Sequence, residues 1–200
     1  MRKVIVQATM SLDGYIADTA DQVGPLFDWY GNGDVAFAGG DEERVFHVSR
    51  ASADYLSAAW SNVTSGVVGR RLFDLTNGWN GRPPVGDSVF VLTHEPPTDW
   101  PFPDAPFTFV TEGVEQAIAL AKDAAGDGDV SVTAGTITGQ ALQAGLIDEL
   151  RVDLVPVVFG SGVPFFGAFT GAQQLLEDPE IVQGDRVTHL HYRVRRDGGA

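Results

Sequence analysis

The chain has no cysteine in its 200 residues. That excludes disulfides, thiolate metal sites and cysteine nucleophiles. It fits a reducing compartment, and a cytoplasmic location is expected. Basic residues are scarce too: 13 Lys and Arg stand against 27 Asp and Glu, a net charge of −14. Nucleic-acid binding depends on cationic contacts, so that class of function is disfavoured. Long apolar runs are also missing. The N-terminus, MRKVIVQATMSLDGYIAD, mixes apolar with polar residues and reaches an aspartate by position 13. It reads as neither a signal peptide nor a membrane span. Asn62-Val63-Thr64 matches a glycosylation sequon, which carries no weight without a secretion signal.

What is present is the composition of an ordinary globule, 44% hydrophobic and 20% charged. The length suffices for one domain with a substantial core. Neither a linker nor a repeat interrupts it, so residues 1–200 are expected to form a single domain. The strand pattern begins at Lys3 to Ala8, with β-branched Val4-Ile5-Val6. Thr9 to Ala17 reads as a loop with a turn at Asp13-Gly14. Asp18 to Asp41 reads as a long irregular segment holding one short helix. Asp41 to Trp60 reads as a helix capped by Asp41, with Glu42 and Glu43 in its first turn. Further strands are expected at Val63–Gly69, Ser88–Thr93, Phe107–Val110, Val130–Val132 and Leu150–Phe159. Helices are expected at Arg70–Leu75, at Glu112–Ala125 and from Ile137 to about Gly145. Asn77 to Asp87 and Glu95 to Pro106 read as loops, and Gln173 to Arg196 as two strands turning at Gly184-Asp185. Alternation of strand and helix predicts an α/β three-layer sandwich with a mainly parallel central sheet and an antiparallel C-terminal edge.

The stretch from Val130 to Phe166 carries most information about function. A strand runs into the small residues Thr133-Ala134-Gly135-Thr136, and a helix starts at once. The first amides of a helix lack internal partners, and its dipole is positive there. Ala134 and Gly135 leave room for a phosphate to approach. In open α/β sheets, ligands bind beyond the carboxyl ends of the strands. Four segments fall at such ends: Ala8-Thr9, Gly69-Arg70-Arg71, Thr93-His94 and Ala134-Gly135-Thr136. Singly, each has a plain structural explanation, such as a surface helix start at Gly69-Arg70-Arg71. Together they outline a nucleotide site, with two guanidinium forks suited to phosphate.

TMSLDGYIA at 9–17, VVGRRLFD at 67–74, VFVLTHEPP at 89–97, VTAGTITGQAL at 132–142 and GLIDELRVDLVPVVFGSGVPFF at 145–166 share order and spacing with a known group. The chain resembles the dihydrofolate reductase-like fold, and more closely the reductase domain of bacterial riboflavin biosynthesis, the RibD C-terminal family. The resemblance implies reduction by NADPH of a pyrimidine- or pterin-like heterocycle, with 5-amino-6-(5-phosphoribosylamino)uracil as the family's substrate. It implies a homodimer. It places Ala8 and the Asp13-Gly14 loop beside the nicotinamide, and Gly69, Arg70 and Arg71 at the cofactor phosphates. Thr93 and His94 would lie near the adenosine 2′-phosphate, and Ala134, Gly135 and Thr136 under the pyrophosphate. The family's usual pair of glycines is Ala134-Gly135 here. Dihydrofolate reductases use an acidic residue after the first loop to supply a proton. By position, and by its apolar neighbours Phe27 and Trp29, Asp28 is the candidate. The deaminase domain that often accompanies this reductase needs cysteines, so that activity is excluded for this chain. A silent nucleotide-binding module and a structural dimer of the same fold are the alternatives.

Other features have plainer readings. Asp148-Glu149 resembles the family's Asp-Glu pair and reads as an exposed helix-to-strand junction, or as a neighbour of the substrate pocket or dimer contact. Gly160-Ser161-Gly162 is followed by Pro164 and Phe165, which argues against a dinucleotide fingerprint. His189 and His191 share a strand face and, with no third ligand nearby, read as surface residues rather than a metal site. Arg193, Arg195 and Arg196 read as a solvated strand end.

Overall fold

A computed structural model describes residues 2–38, 45–167 and 169–196. Its strands are β1 (Val4–Ser11), β2 (Tyr15–Ala17), β3 (Val35–Ala38), β4 (Val45–Val48), β5 (Val63–Gly69) and β6 (Ser88–Leu92). They continue with β7 (Phe107–Val110), β8 (Asp129–Val132), β9 (Glu149–Val155), β10 (Val163–Pro164), β11 (Glu180–Gln183) and β12 (Thr188–Arg193). The helices are α1 (Arg50–Trp60), α2 (Arg70–Leu75), α3 (Val114–Ala125) and α4 (Thr136–Gln143).

Eight strands form one sheet in the order β11-β12-β9-β1-β8-β5-β6-β7. From β9 to β7 every neighbouring pair is parallel. β12 and β11 add the antiparallel edge. The expected α/β sandwich is thus present. Parallel strands need coverage on both faces, and alternation along the strands supplies two apolar surfaces. Val67, Phe90, Leu150 and Val152 join the core beneath α3 and α4, where Ala117, Ile118, Ala121, Ala141 and Leu142 are buried. Their sequence neighbours Val68, Val89 and Val91 face the other way and pack with Phe73 of α2. On that same side Leu56 of α1 packs with Leu26, Trp29, Val48 and Val155.

Several expectations need correction. The helix expected from Asp41 starts at Arg50, because Ser49 caps it by accepting a bond from Ser52 N at 3.3 Å. Val45–Val48 instead pairs antiparallel with Val35–Ala38. The expected cap Asp41, with Glu42 and Glu43, lies outside the described residues. β1 runs on to Ser11, and the expected loop after it contains β2, which pairs with β10. β9 stops at Val155, not Phe159. The Asn77 loop opens with a left-handed turn: Asn77, Gly78, Trp79 and Asn80 have φ between 48° and 56°. Asparagine and glycine tolerate that conformation, and Trp79 is carried with them.

Candidate functional site

The carboxyl ends of β5 and β8 lie side by side, with Thr133 N donating to Val67 O at 3.0 Å. Helices α2 and α4 start there. α4 has no side-chain cap and no acidic residue in its first turn. Its first internal bond runs from Gly139 N to Gly135 O, so the amides of Thr136, Ile137 and Thr138 lie ahead of it. Gly135 adopts φ 103°, a conformation closed to most side chains. A Cβ at Gly69 would stand 3.3 Å from Ile137 Cδ1, so glycine there lets the two helix starts approach.

Between them is a cleft of about 210 Å³. Gly69, Arg71, Ala134, Gly135 and Thr136 line it, joined by Ile16, Val23 and Asp21. Five residues expected from the sequence to hold phosphate therefore share one wall system. The cation is already engaged. Arg71 Nε donates to both carboxylate oxygens of Asp21, at 2.9 and 3.0 Å, and its Nη2 contacts Asp21 Oδ2 as well. This carboxylate pushes the Arg71 guanidinium further up from its already high pKa.

The remaining expected residues lie elsewhere. Arg70 turns away from Arg71. It donates to Asp74 at 2.8 Å, to Thr93 Oγ1 at 3.3 Å and to the Glu95 carbonyl. It lines a separate open hollow of about 520 Å³ with Phe73, Asp74 and the Glu95–Pro101 loop. Thr93 is thus brought to Arg70, while His94 is exposed and lines neither space. Ala8 is half-buried in β1 opposite Val152. Asp13 commits its carboxylate to Ser11 Oγ at 2.7 Å and to the amides of Phe159 and Gly160. The Ser11 bond leads in holding its pKa below the ordinary value. Gly14, at φ 92°, makes the turn that sends β2 and Ile16 toward the cleft. Asp28 is exposed on a 3₁₀ turn spanning Gly24–Gly31 and does not line the cleft, so its expected apolar enclosure is missing.

A second polar constellation lies under α1, and the sequence reading misplaced it. His189 is fully buried, not a surface residue. Its Nδ1 is 2.6 Å from Asp153 Oδ1, its Nε2 is 2.9 Å from Ser52 Oγ, and Tyr55 stacks on the ring. Glu149 is likewise buried, where an exposed junction was expected. Lys3, Arg151 and His191 surround it at 2.7, 2.8 and 2.9 Å. Burial pushes the Glu149 carboxyl up, but these partners outweigh it and hold the group far below the usual range. Asp148 accepts from Val4 N at 2.8 Å and pairs with Arg196. The register that pairs His189 with Asp153 and His191 with Arg151 creates this network. Among the described residues, no group of three or more histidines and carboxylates is placed to hold a metal.

The sheet order is that of the dihydrofolate reductase-like α/β fold. No protein-family model matches the chain. A putative riboflavin biosynthesis protein from Shewanella sp. PV-4 superposes with a TM-score of 0.72 at 25% identity, covering 97% of this chain and 99% of that one. The diaminohydroxyphosphoribosylaminopyrimidine deaminase/5-amino-6-(5-phosphoribosylamino)uracil reductase of Thermotoga maritima gives a TM-score of 0.60 at 12% identity. The match covers 97% of this chain and 57% of that one. Dihydrofolate reductase from Enterococcus faecalis, complexed with NADP(H) and RAB-propyl, gives 0.59 at 14% identity, covering 97% of each chain. In sequence, the uncharacterized protein YwjB of Bacillus subtilis is 24% identical over 192 residues, 96% of this chain and 97% of that protein.

Proposed function

We propose that this chain is an NADPH-dependent reductase acting on a pyrimidine- or pterin-like heterocycle. The carrying observation is the cleft that sets Arg71 beside the uncapped start of α4, at adjacent strand ends of the shared sheet. A helix start and a guanidinium fork suit a diphosphate. The fit is sterically open: a Cβ built on Gly135 meets nothing closer than Ile16 Cδ1 at 3.8 Å. Ala134 adds one methyl group where the resembled family has glycine, on the wall rather than at the helix cap.

In this reading Arg71 and the amides of Thr136 to Thr138 hold the diphosphate, and Gly69 and Gly135 give it room. Arg70 and Thr93, joined by their own bond, face the adenosine end. Ala8 stands beside the nicotinamide, and the Asp13-Gly14 turn keeps β2 against that end. Bound NADPH would supply a hydride, which needs alignment more than acid–base machinery from the protein. The exposed Asp28 is not given the proton-transfer role.

The Shewanella and Thermotoga proteins, by their names, support an acceptor from riboflavin biosynthesis, with 5-amino-6-(5-phosphoribosylamino)uracil the first compound to try. A cytoplasmic homodimer belongs to the same proposal, and sedimentation equilibrium tests it. The exposure of Asp28 favours one rival, a nucleotide-binding module without turnover. Titration with NADPH and NADH, followed by acceptor-dependent loss of NADPH absorbance, separates the two. Turnover of any pyrimidine or pterin supports the reductase. Micromolar binding with no turnover supports the module, and no binding rejects both.

A further inference from the structure

Asp21 occupies an unusual place for an acidic residue, on the wall of a cleft suited to anions. It is held there by a tightly bonded turn. Asp18 N donates to Gln22 O at 3.0 Å, and Asp21 N to Asp18 O at 3.2 Å. The Asp18 carboxylate accepts from the amides of Ala20 and Gln22 at 2.7 and 2.9 Å. This turn sets Asp21 at φ 61°, a left-handed conformation that aspartate and asparagine tolerate better than most residues.

From that position both Asp21 oxygens face the Nε–Nη2 edge of Arg71. The same edge grips two oxygens of a phosphate in charge-assisted recognition. The Arg71 side chain is 71% exposed and that of Asp21 only 14%. The carboxylate is therefore fixed in the wall while the arginine has room to swing. While Asp21 holds that edge, only the Nη1–Nη2 end, with its three remaining N–H donors, is open to a ligand.

Resting on the proposed coenzyme reading, the geometry points to Asp21 as the residue that sets affinity in this cleft. Its carboxylate stands on Arg71 in place of a ligand's phosphate, and a dinucleotide diphosphate binds by displacing it. The exchange has two consequences. Before binding, Arg71 is neutralised, so the cleft attracts anions weakly for a site built around a guanidinium. On binding, the Asp18–Gln22 turn loses its tie to α2.

The test compares wild type with Asp21→Asn, which keeps the side-chain shape and the tolerance of positive φ while removing the charge. NADPH is titrated by fluorescence at low and at high salt, and the melting temperature of each protein is recorded. Asp21→Asn is expected to bind about 1.5- to 5-fold tighter at low salt, the scale of one exposed ion pair. That advantage should shrink at high salt, because screening weakens the uncompensated Arg71 most. Asp21→Gly, which suits the same φ, serves if the asparagine variant is misfolded. Equal or weaker binding by the folded variant would overturn the role of Asp21 and leave the coenzyme reading standing. Absence of NADPH binding in wild type and variants alike would overturn the coenzyme reading, and this inference with it.

Discussion

Two polar sites sit on this sheet under opposite physical conditions. The cleft at the ends of β5 and β8 is open, small-walled and held by one exposed ion pair. The network under α1 is sealed, with Glu149, Arg151, Asp153 and His189 all buried. Exposed pairs are worth little to stability, because water screens them. Buried charges are costly to place, and far costlier to leave unpaired. The open site is therefore free to exchange partners, whereas the sealed one is fixed by the penalty of opening it. In the proposed reading, ligand exchange and fold maintenance fall to different charges.

The largest effect is expected in the sealed network. Glu149→Ala strands Lys3, Arg151 and His191 around an uncompensated site and should cost about 3–5 kcal/mol in denaturant unfolding. Acid should expose the same dependence. The Glu149 carboxyl titrates below its ordinary value of 4.5 in the folded chain, so its contribution is complete above that pH. It is lost as pH falls further, toward the folded value. Wild type should therefore lose more stability than Glu149→Gln between neutral pH and strong acid. An equal loss would place the charge outside the network.

Next comes His189→Ala, which leaves Asp153 and Ser52 without their shared partner. About 2–4 kcal/mol of stability should go, from the cavity and the orphaned carboxylate together. Arg71→Gln should behave in the opposite manner. Melting should stay within about 0.5 kcal/mol of wild type, as for most exposed substitutions. NADPH affinity should fall by about 1.5–3 kcal/mol, the scale of a charge-assisted contact. Gly135→Ala is expected to cost more stability than Arg71→Gln, about 1–3 kcal/mol through a backbone conformation that suits glycine, and less affinity, through its methyl group. If Arg71→Gln destabilised the chain as much as His189→Ala, the division between the two sites would fail.

These sites also differ in how far the sequence discloses them. The cleft is built from contiguous strand–turn–helix segments, 67–74 and 132–142, and such segments carry their geometry locally. Small residues at a strand end and an arginine at a helix start were readable for that reason. Asp21 was not, because its approach to Arg71 depends on how a loop 50 residues away is folded back. Arg70 and Arg71 were read as one cluster, but successive residues on a helix point in different directions. The sealed network was legible only as alternation. Nothing local says that the face of β12 carrying His189 and His191 lies against α1, or that β9 brings Asp153 and Arg151 opposite them. Ser49 was likewise hidden as a helix cap, since Asp41 and its acidic neighbours offered a stronger signal earlier in the chain.

The central claim is that the wall formed by Arg71, Gly135 and the start of α4 receives a coenzyme diphosphate. Titrating NADPH into wild type and Arg71→Gln at low salt, with fluorescence as readout, tests it most directly. Saturable wild-type binding, weakened at least about ten-fold by the substitution, is the predicted result. Equal affinity in the two proteins, or no saturable binding to wild type, would contradict it.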